Sequence, residues 1–121
     1  MLNLNSVMVF SQSPEKLGDF YSKVFGKKPD WTGGEFLGFK VGAGMMVIGP
    51  HDKVKGRNLH PERIMFQFET SEMLTEFERI SKLGAKVIAK PYHPAEAEDE
   101  WLGTLEDIDG NYFQLLSPME M

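Results

Sequence analysis

A short, mostly hydrophobic segment near the start of the chain is followed by hydrophobic residues at helical spacing. Residues 4–10 are rich in β-branched and aromatic residues, which predicts a strand with Ser6, Met8 and Phe10 on one face. Apolar side chains then recur at positions 17, 20, 21, 24 and 25, which is the stripe of a helix lying on a sheet. The chain is therefore predicted to begin with a strand followed by a helix, which Gly26 is placed to end.

Short apolar segments separated by glycine follow this helix. Residues 35–41 and 45–48 are predicted to form consecutive hairpin strands, and Trp31 stands at the beginning of a further strand. Residues 51–61 are polar, which predicts a loop. The first half of the chain therefore reads as strand, helix and about three strands.

The second half repeats this order. Residues 63–69 alternate as a strand, with Ile64, Phe66 and Phe68 on the face toward the core. A stripe of Leu74, Phe77, Ile80 and Leu83 predicts a second helix. The later strands are predicted at residues 86–90, 101–106 and 112–116, and the last two are joined by Asp109-Gly110, a strong hairpin signal.

The repeat predicts the fold class. We expect an α+β fold made of two βαβββ modules, residues 1–58 and 59–121, within one domain that spans residues 1–121. Residue identity between the two halves is low, so the repeat is one of pattern.

Composition narrows the class of protein. The chain of 121 residues has 13 Lys and Arg against 18 Asp and Glu, and this net charge of −5 argues against binding to a nucleic-acid backbone. The absence of Cys excludes disulfide frameworks, Cys-ligated metals and thiol nucleophiles. No apolar run is long enough to span a membrane, and the start of the chain does not resemble a signal peptide. We therefore expect a cytoplasmic protein that binds neither nucleic acid nor membrane.

Two segments resemble the vicinal oxygen chelate superfamily. Residues 13–26 (SPEKLGDFYSKVFG) look like its first helix, with a Phe-Tyr pair and a terminal Gly. Residues 107–115 (DIDGNYFQL) look like its last hairpin, with Ile108 and Gln114 where Pro and Glu are usual. The superfamily contains glyoxalase I, extradiol dioxygenases, fosfomycin-resistance enzymes and bleomycin-resistance binding proteins. The resemblance implies that the two modules form a cupped mixed sheet and that the protein is a homodimer.

The resemblance also implies four metal-ligand positions, but the residues there are poor ligands. The positions fall on Ser6, near Val47, near Arg63 and on Gln114. Divalent ions in enzyme sites are held by imidazole, carboxylate or thiolate groups. A hydroxyl, an aliphatic group, a cation and a neutral amide do not replace these ligands. We therefore expect neither a metal nor another cofactor.

The strand faces opposite to the helices are predicted to line the cup, because residues two apart in a strand share a face. A soft apolar lining with a few amide and hydroxyl groups suits a small, partly apolar or aromatic molecule. Two alternatives stay open: these side chains fill the cup themselves, or they face a partner subunit. Including aromatic groups at the rim, the candidate ligand-binding residues are Ser6, Met8, Phe10, Trp31, Val47, His51, Arg63, Met65, Gln67, Trp101, Tyr112 and Gln114.

Three functions remain as hypotheses. The first is a metal-independent protein of the glyoxalase/bleomycin-resistance type that binds or sequesters a small molecule. The alternative is a divalent-metal lyase, isomerase or dioxygenase related to lactoylglutathione lyase, with a displaced metal site formed by His51 and a carboxylate. The third is an interaction role in which the concave face meets another protein. No catalytic residue is identified, because neither Arg63 nor Gln67 exchanges protons near neutral pH.

Overall fold

A computed structural model describes residues 1–118 of the chain. The chain divides after Gly56 into two compact units, and each unit contains one helix and one four-stranded sheet. Neither helix among the described residues is long and apolar enough to cross a membrane.

The first unit is a mixed sheet with a helix on one face. Strand β1 runs parallel to β4, whereas the β4–β3 and β3–β2 pairs are antiparallel, and the strand order is β1-β4-β3-β2. The elements are β1 (Ser6–Phe10), α1 (Pro14–Phe25), β2 (Trp31–Gly33), β3 (Phe36–Val41) and β4 (Gly44–Gly49).

The core of the first unit lies between α1 and its sheet. The helix contacts β3 and β4, and Phe25 meets Phe39 edge to face with ring centroids 5.3 Å apart. The predicted helical stripe is confirmed, because the buried apolar residues of α1 are those spaced for one face. These core residues are Leu17, Phe20, Tyr21 and Val24 from the helix, with Val9, Phe39, Met46 and Ile48 from the sheet.

The second unit repeats this topology. Strand β5 runs parallel to β8, the other pairs are antiparallel, and the strand order is β5-β8-β7-β6. The elements are β5 (Phe66–Glu69), α2 (Met73–Ser81), β6 (Lys86–Tyr92), β7 (Leu102–Glu106) and β8 (Tyr112–Leu116). The predicted α+β fold class is confirmed, with one helix and one four-stranded mixed sheet in each unit.

Several predicted boundaries are wrong. The strand predicted at residues 63–69 begins only at Phe66, because Arg63 donates its backbone N–H to the carbonyl of His60 in a turn. Ile64, which the alternation placed in the core, is 72% exposed. The strand at the start of the chain begins at Ser6 instead of residue 4. Strand β6 continues to Tyr92, two residues beyond its predicted end.

The second helix buries Phe77 and Ile80 of the predicted stripe, but the other two residues of that stripe were predicted wrongly. Its first residue is Met73, which is buried with Phe77 and Ile80, whereas Leu74 is 49% exposed. Met73, Phe77 and Ile80 are spaced i, i+4 and i+7, which defines a helix face as well as the predicted spacing does. Packing of the helix against the sheet determines which of the two faces is buried. The helix ends at Ser81, before Leu83.

Candidate ligand-binding faces

Each sheet has a face opposite to its helix, and most of the predicted ligand-binding residues lie there. We call the face opposite to α1 the first open face. Residues paired across neighbouring strands share a face, so Met8, Val47, Gly38 and Trp31 form one continuous row across it. A second row consists of Phe10, Gly49, Phe36 and Gly33, and a third begins with Ser6 and Met45.

The Trp31 ring lies across two glycines of this face. A Cβ atom on Gly33 would stand 2.8 Å from Cζ2 of Trp31, and a Cβ on Gly38 would stand 3.4 Å from its Cε3. The same Cβ on Gly38 would also stand 2.8 Å from Cε of Met45. Only glycine leaves room for this arrangement, which keeps Trp31 against the sheet while 50% of it stays exposed.

An ion-paired corner fixes the strand that carries Trp31. Asp30 donates its backbone N–H to the carbonyl of Gly38 at 2.8 Å and accepts a 2.7 Å hydrogen bond from the backbone N–H of Lys40. The Lys27 ammonium lies 2.7 Å from the same carboxylate. Hydrogen bonds from Lys27 and then from the Lys40 backbone hold the pKa of Asp30 below its ordinary value. The start of β2 is therefore held in place by backbone and side-chain contacts.

His51 lies next to this face at the end of β4. Its ring meets Phe10 edge to face, with centroids 5.1 Å apart. Its Nδ1 accepts a 3.1 Å hydrogen bond from the backbone N–H of Lys53 and lies 3.3 Å from Oδ1 of Asp52. The Phe10 ring and the Lys53 backbone therefore hold the His51 ring at the end of β4.

The face of the second sheet opposite to α2 is the second open face, and it is more polar. Gln67, Gln114 and Thr104 are cross-strand neighbours there. Nε2 of Gln67 donates to Oε1 of Gln114 at 2.8 Å, and Nε2 of Gln114 donates to Oγ1 of Thr104 at 3.0 Å. We call these three residues the amide row. It joins three neighbouring strands through side chains alone.

A charged pair occupies the same face beside the amide row. Tyr112 is the cross-strand neighbour of Glu106, and the Glu106 carboxylate is paired with the guanidinium of Arg57. Arg57 also donates to the backbone carbonyl of Ile108 at 3.3 Å. Lys86 is the cross-strand neighbour of Glu106 on β6, so one further cation lies at this end of the face.

Not every predicted site residue lies on an open face. Arg63 and Met65 precede β5, and Arg63 is in the turn that ends at that strand. Trp101 lines a groove of about 230 Å³ at the start of α2 instead, together with Met73 and Ser117. Its ring packs on His93 with centroids 3.9 Å apart. The structure therefore separates Trp101 from the amide row.

Sequence reasoning missed Thr104 and the two glycines beneath the Trp31 ring, Gly33 and Gly38, which we call the glycine floor. Thr104 is only 4% exposed, and it reaches the second open face through its contact with Gln114. A two-residue turn at Asp109-Gly110 would pair Leu105 with Gln114, whereas the structure pairs Thr104 with Gln114, so the sequence carries no clear signal for this contact.

The residues do not fit a divalent metal at the positions that the superfamily implies. Ser6, Val47 and Arg63 offer a hydroxyl, an aliphatic group and a cation, and Oε1 of Gln114 already accepts a hydrogen bond from Gln67. Within residues 1–118, no three or more His, Asp and Glu side chains come together in a group able to hold a metal ion.

Comparison with known proteins agrees with the fold. The profile of the glyoxalase-like domain family matches residues 6–116, which is nearly the whole chain. The chain therefore belongs to the glyoxalase-like domain family, consistent with the vicinal oxygen chelate superfamily that its first helix and last hairpin resemble. No curated protein sequence matches it.

Solved structures share the fold at low sequence identity. A glyoxalase/bleomycin resistance protein/dioxygenase family enzyme from Burkholderia phytofirmans PsJN has a TM-score of 0.79 at 17% identity, over 98% of this chain and 100% of that one. Lactoylglutathione lyase from Agrobacterium tumefaciens has a TM-score of 0.72 at 16% identity, over 95% and 92%. TioX from Micromonospora sp. ML1 has a TM-score of 0.72 at 14% identity, over 97% of this chain and 99% of that one. At these identities the likeness concerns the fold alone.

Proposed function

We propose that the protein binds a small, partly apolar or aromatic molecule without the help of a metal. The observation that carries this proposal is the first open face, where Met8 and Trp31 are 49% and 50% exposed beside Val47 and above a glycine floor. Apolar and aromatic side chains of this kind contribute most of the binding free energy for planar ligands. The flexible thioether of Met8 adapts to different ligand shapes.

The donor chemistry supports the metal-independent form of this proposal. The four positions that would hold an ion carry groups unsuited to divalent ions, and Gln114 is engaged in the amide row. A binding or sequestering protein needs no proton-transfer group. This agrees with the amide row, whose side chains exchange no protons near neutral pH.

A tryptophan reporter tests this proposal directly. In the variant Trp101→Phe, Trp31 is the one remaining tryptophan, so the emission reports on the first open face. Titration with a panel of planar aromatic compounds is expected to quench or shift this emission with saturation. The absence of a saturable change for every compound would overturn the proposal.

Matched variants locate the binding face. Met8→Glu, made in the Trp101→Phe background, places a carboxylate on the first open face and is expected to weaken binding at least about tenfold, because the charge would lose solvation against an apolar ligand. Leu74→Glu is the control, since Leu74 is equally exposed at 49% but lies on α2. Equal loss in both variants would contradict the assignment of the face.

The alternative function is a divalent-metal lyase, isomerase or dioxygenase with a displaced metal site at His51. His51 has one neighbouring carboxylate, that of Asp52, at 3.3 Å. An assay with methylglyoxal and a thiol, combined with elemental analysis of the purified protein, separates the two functions. Turnover together with a stoichiometric ion would favour the enzyme, and neither is expected.

We also propose a cytoplasmic homodimer. Large apolar side chains remain exposed outside the open faces, including Leu4 and Leu59 at 86% and 84%. Such groups favour contact with a second copy of the chain. Light scattering coupled to gel filtration is expected to give twice the mass of one chain, and the mass of a single chain would contradict this proposal.

A further inference from the structure

The amide row consists entirely of groups that both donate and accept hydrogen bonds. Gln67 and Gln114 each have an amide oxygen and an amide NH₂ group, and Thr104 has a hydroxyl. In the structure the bonds run from Gln67 to Gln114 to Thr104. If the side-chain amides of Gln67 and Gln114 each rotate by about 180°, their oxygen and NH₂ groups exchange places. The Thr104 hydroxyl then donates to Gln114, and Gln114 donates to Gln67. Both directions satisfy the same number of hydrogen bonds.

The three residues of the amide row differ in their exposure to solvent, and therefore in whether they can contact a ligand. Thr104 is only 4% exposed and cannot reach a ligand directly, and Gln114 is half-buried between its two partners. Gln67 is exposed at the outer end of the row. A bound molecule would therefore touch Gln67, while the Thr104 hydroxyl at the other end completes the row in either direction by donating or accepting.

We propose that Thr104 is a positioning residue that acts through Gln114 to present the Gln67 amide to an uncharged polar group of the ligand. The inference rests on the proposed small-molecule binding and goes beyond it, because it adds a polar contact on the second open face. In the direction seen here, the Gln67 carbonyl is free to accept from a ligand N–H or O–H group. In the reversed direction, the Gln67 NH₂ group donates to a ligand carbonyl or ring nitrogen.

The row has no formal charge, and this sets the class of ligand. A charged group would lose water without gaining an opposite charge from the row, whereas a neutral group exchanges one hydrogen bond for another. The neighbouring Glu106 carboxylate is already paired with Arg57. We therefore expect planar molecules with one neutral donor or acceptor, such as a ring N–H or a ring nitrogen.

Three bicyclic probes test the inference. Indole has a donor N–H, quinoline has an acceptor nitrogen, and naphthalene has neither. Calorimetry at pH 8 is expected to show that indole and quinoline both bind about five- to tenfold more tightly than naphthalene, the contribution of one neutral hydrogen bond. Equal affinity for all three probes would overturn the amide row as a ligand contact.

Substitution of Gln114 by Glu tests whether the hydrogen bonds of the amide row can reverse their direction. A carboxylate only accepts, so Gln114→Glu forces Gln67 to donate inward and leaves its carbonyl facing the ligand. The variant is expected to retain the advantage of indole over naphthalene and to lose that of quinoline. An equal change for indole and quinoline would overturn the reversal.

Thr104 variants supply a readout that does not depend on any ligand. Thr104→Val removes the hydroxyl at nearly constant volume and is expected to shift the side-chain NH₂ resonances of Gln114 and Gln67 in the free protein. Thr104→Ser is expected to restore both resonances and the probe preferences. Thr32→Val, on β2, is the control and should change neither. Unchanged resonances in Thr104→Val would contradict the positioning role.

These outcomes separate the inference from the proposed function. If naphthalene binds as tightly as the polar probes, the amide row is not a ligand contact, but the proposal of small-molecule binding is still supported. If no probe binds, and the wider panel also leaves the Trp31 emission unchanged, small-molecule binding itself fails and the inference fails with it.

Discussion

Asp107 is a buried carboxylate that organises the turn between β7 and β8. It is 2% exposed, and its Oδ1 accepts hydrogen bonds from the backbone N–H groups of Asp109 and Asn111 at 2.9 and 3.0 Å. Its Oδ2 accepts from Nδ2 of Asn111 at 3.0 Å. The segment that resembles the superfamily's last hairpin therefore has a structural role, since its first residue satisfies the donors of the turn.

We predict that Asp107→Ala lowers the free energy of unfolding by about 2–3 kcal/mol, because buried N–H donors lose a charged acceptor. Urea denaturation measures this change. Asp52→Ala is the control, since the Asp52 side chain is 89% exposed and its loss should cost less than about 0.5 kcal/mol. Similar losses in the two variants would show that Asp107 does not stabilise the turn.

At the scale of elements, α2 packs closely on β7 because Gly103 has no side chain. A Cβ atom there would stand 2.5 Å from Cε2 of Phe77 and 3.1 Å from Cε of Met73. The Phe77 ring is buried, so it has little room to move aside. The glycine in the middle of the strand thus allows the helix to approach the sheet.

We predict that Gly103→Ala lowers the free energy of unfolding by about 1–3 kcal/mol through overpacking against Phe77. Gly44→Ala is the matched control on β4, because its Cβ would meet nothing closer than the Val41 carbonyl at 3.8 Å. That change should stay within about 0.5 kcal/mol. Thermal unfolding of both variants measures the difference, and an equal loss would refute this account of the packing.

The elements themselves were largely predictable, whereas some of their ends and faces were not. Alternation and helical spacing identified strand, helix and strands in each half, because the core requires those periods. The same rules placed Ile64 in a strand, although it belongs to a turn, and chose Leu74 over Met73. In both places the sequence allows two patterns of burial, and only contact with the sheet selects one.

At the scale of the whole molecule, the two units have the same strand order and the same parallel pair next to an antiparallel hairpin. This common topology explains why one pattern predicted both halves. The candidate site was only partly predictable, because side chains such as Thr104 contribute through cross-strand register. Trp101 shows the converse, since it directly precedes β7 but lies in the groove beside α2.

The response of the whole molecule to metal ions is the last prediction. An ion that binds the native state with a dissociation constant one hundredth of its concentration stabilises it by about 2.7 kcal/mol. For a chain of this length, that corresponds to a rise of several degrees in the melting temperature. We expect millimolar Zn²⁺, Mn²⁺ or Ni²⁺, and equally EDTA, to change the melting temperature by less than about 1 °C.

The physical reason is the chemistry of the four implied ligand positions. A hydroxyl at Ser6, an aliphatic group at Val47 and a guanidinium at Arg63 cannot replace imidazoles and carboxylates. His51→Ala identifies the source of any stabilisation that does appear. A rise of more than about 5 °C that His51→Ala abolishes would contradict metal independence and place an ion at His51. A rise that His51→Ala leaves intact would also contradict it and place the ion elsewhere.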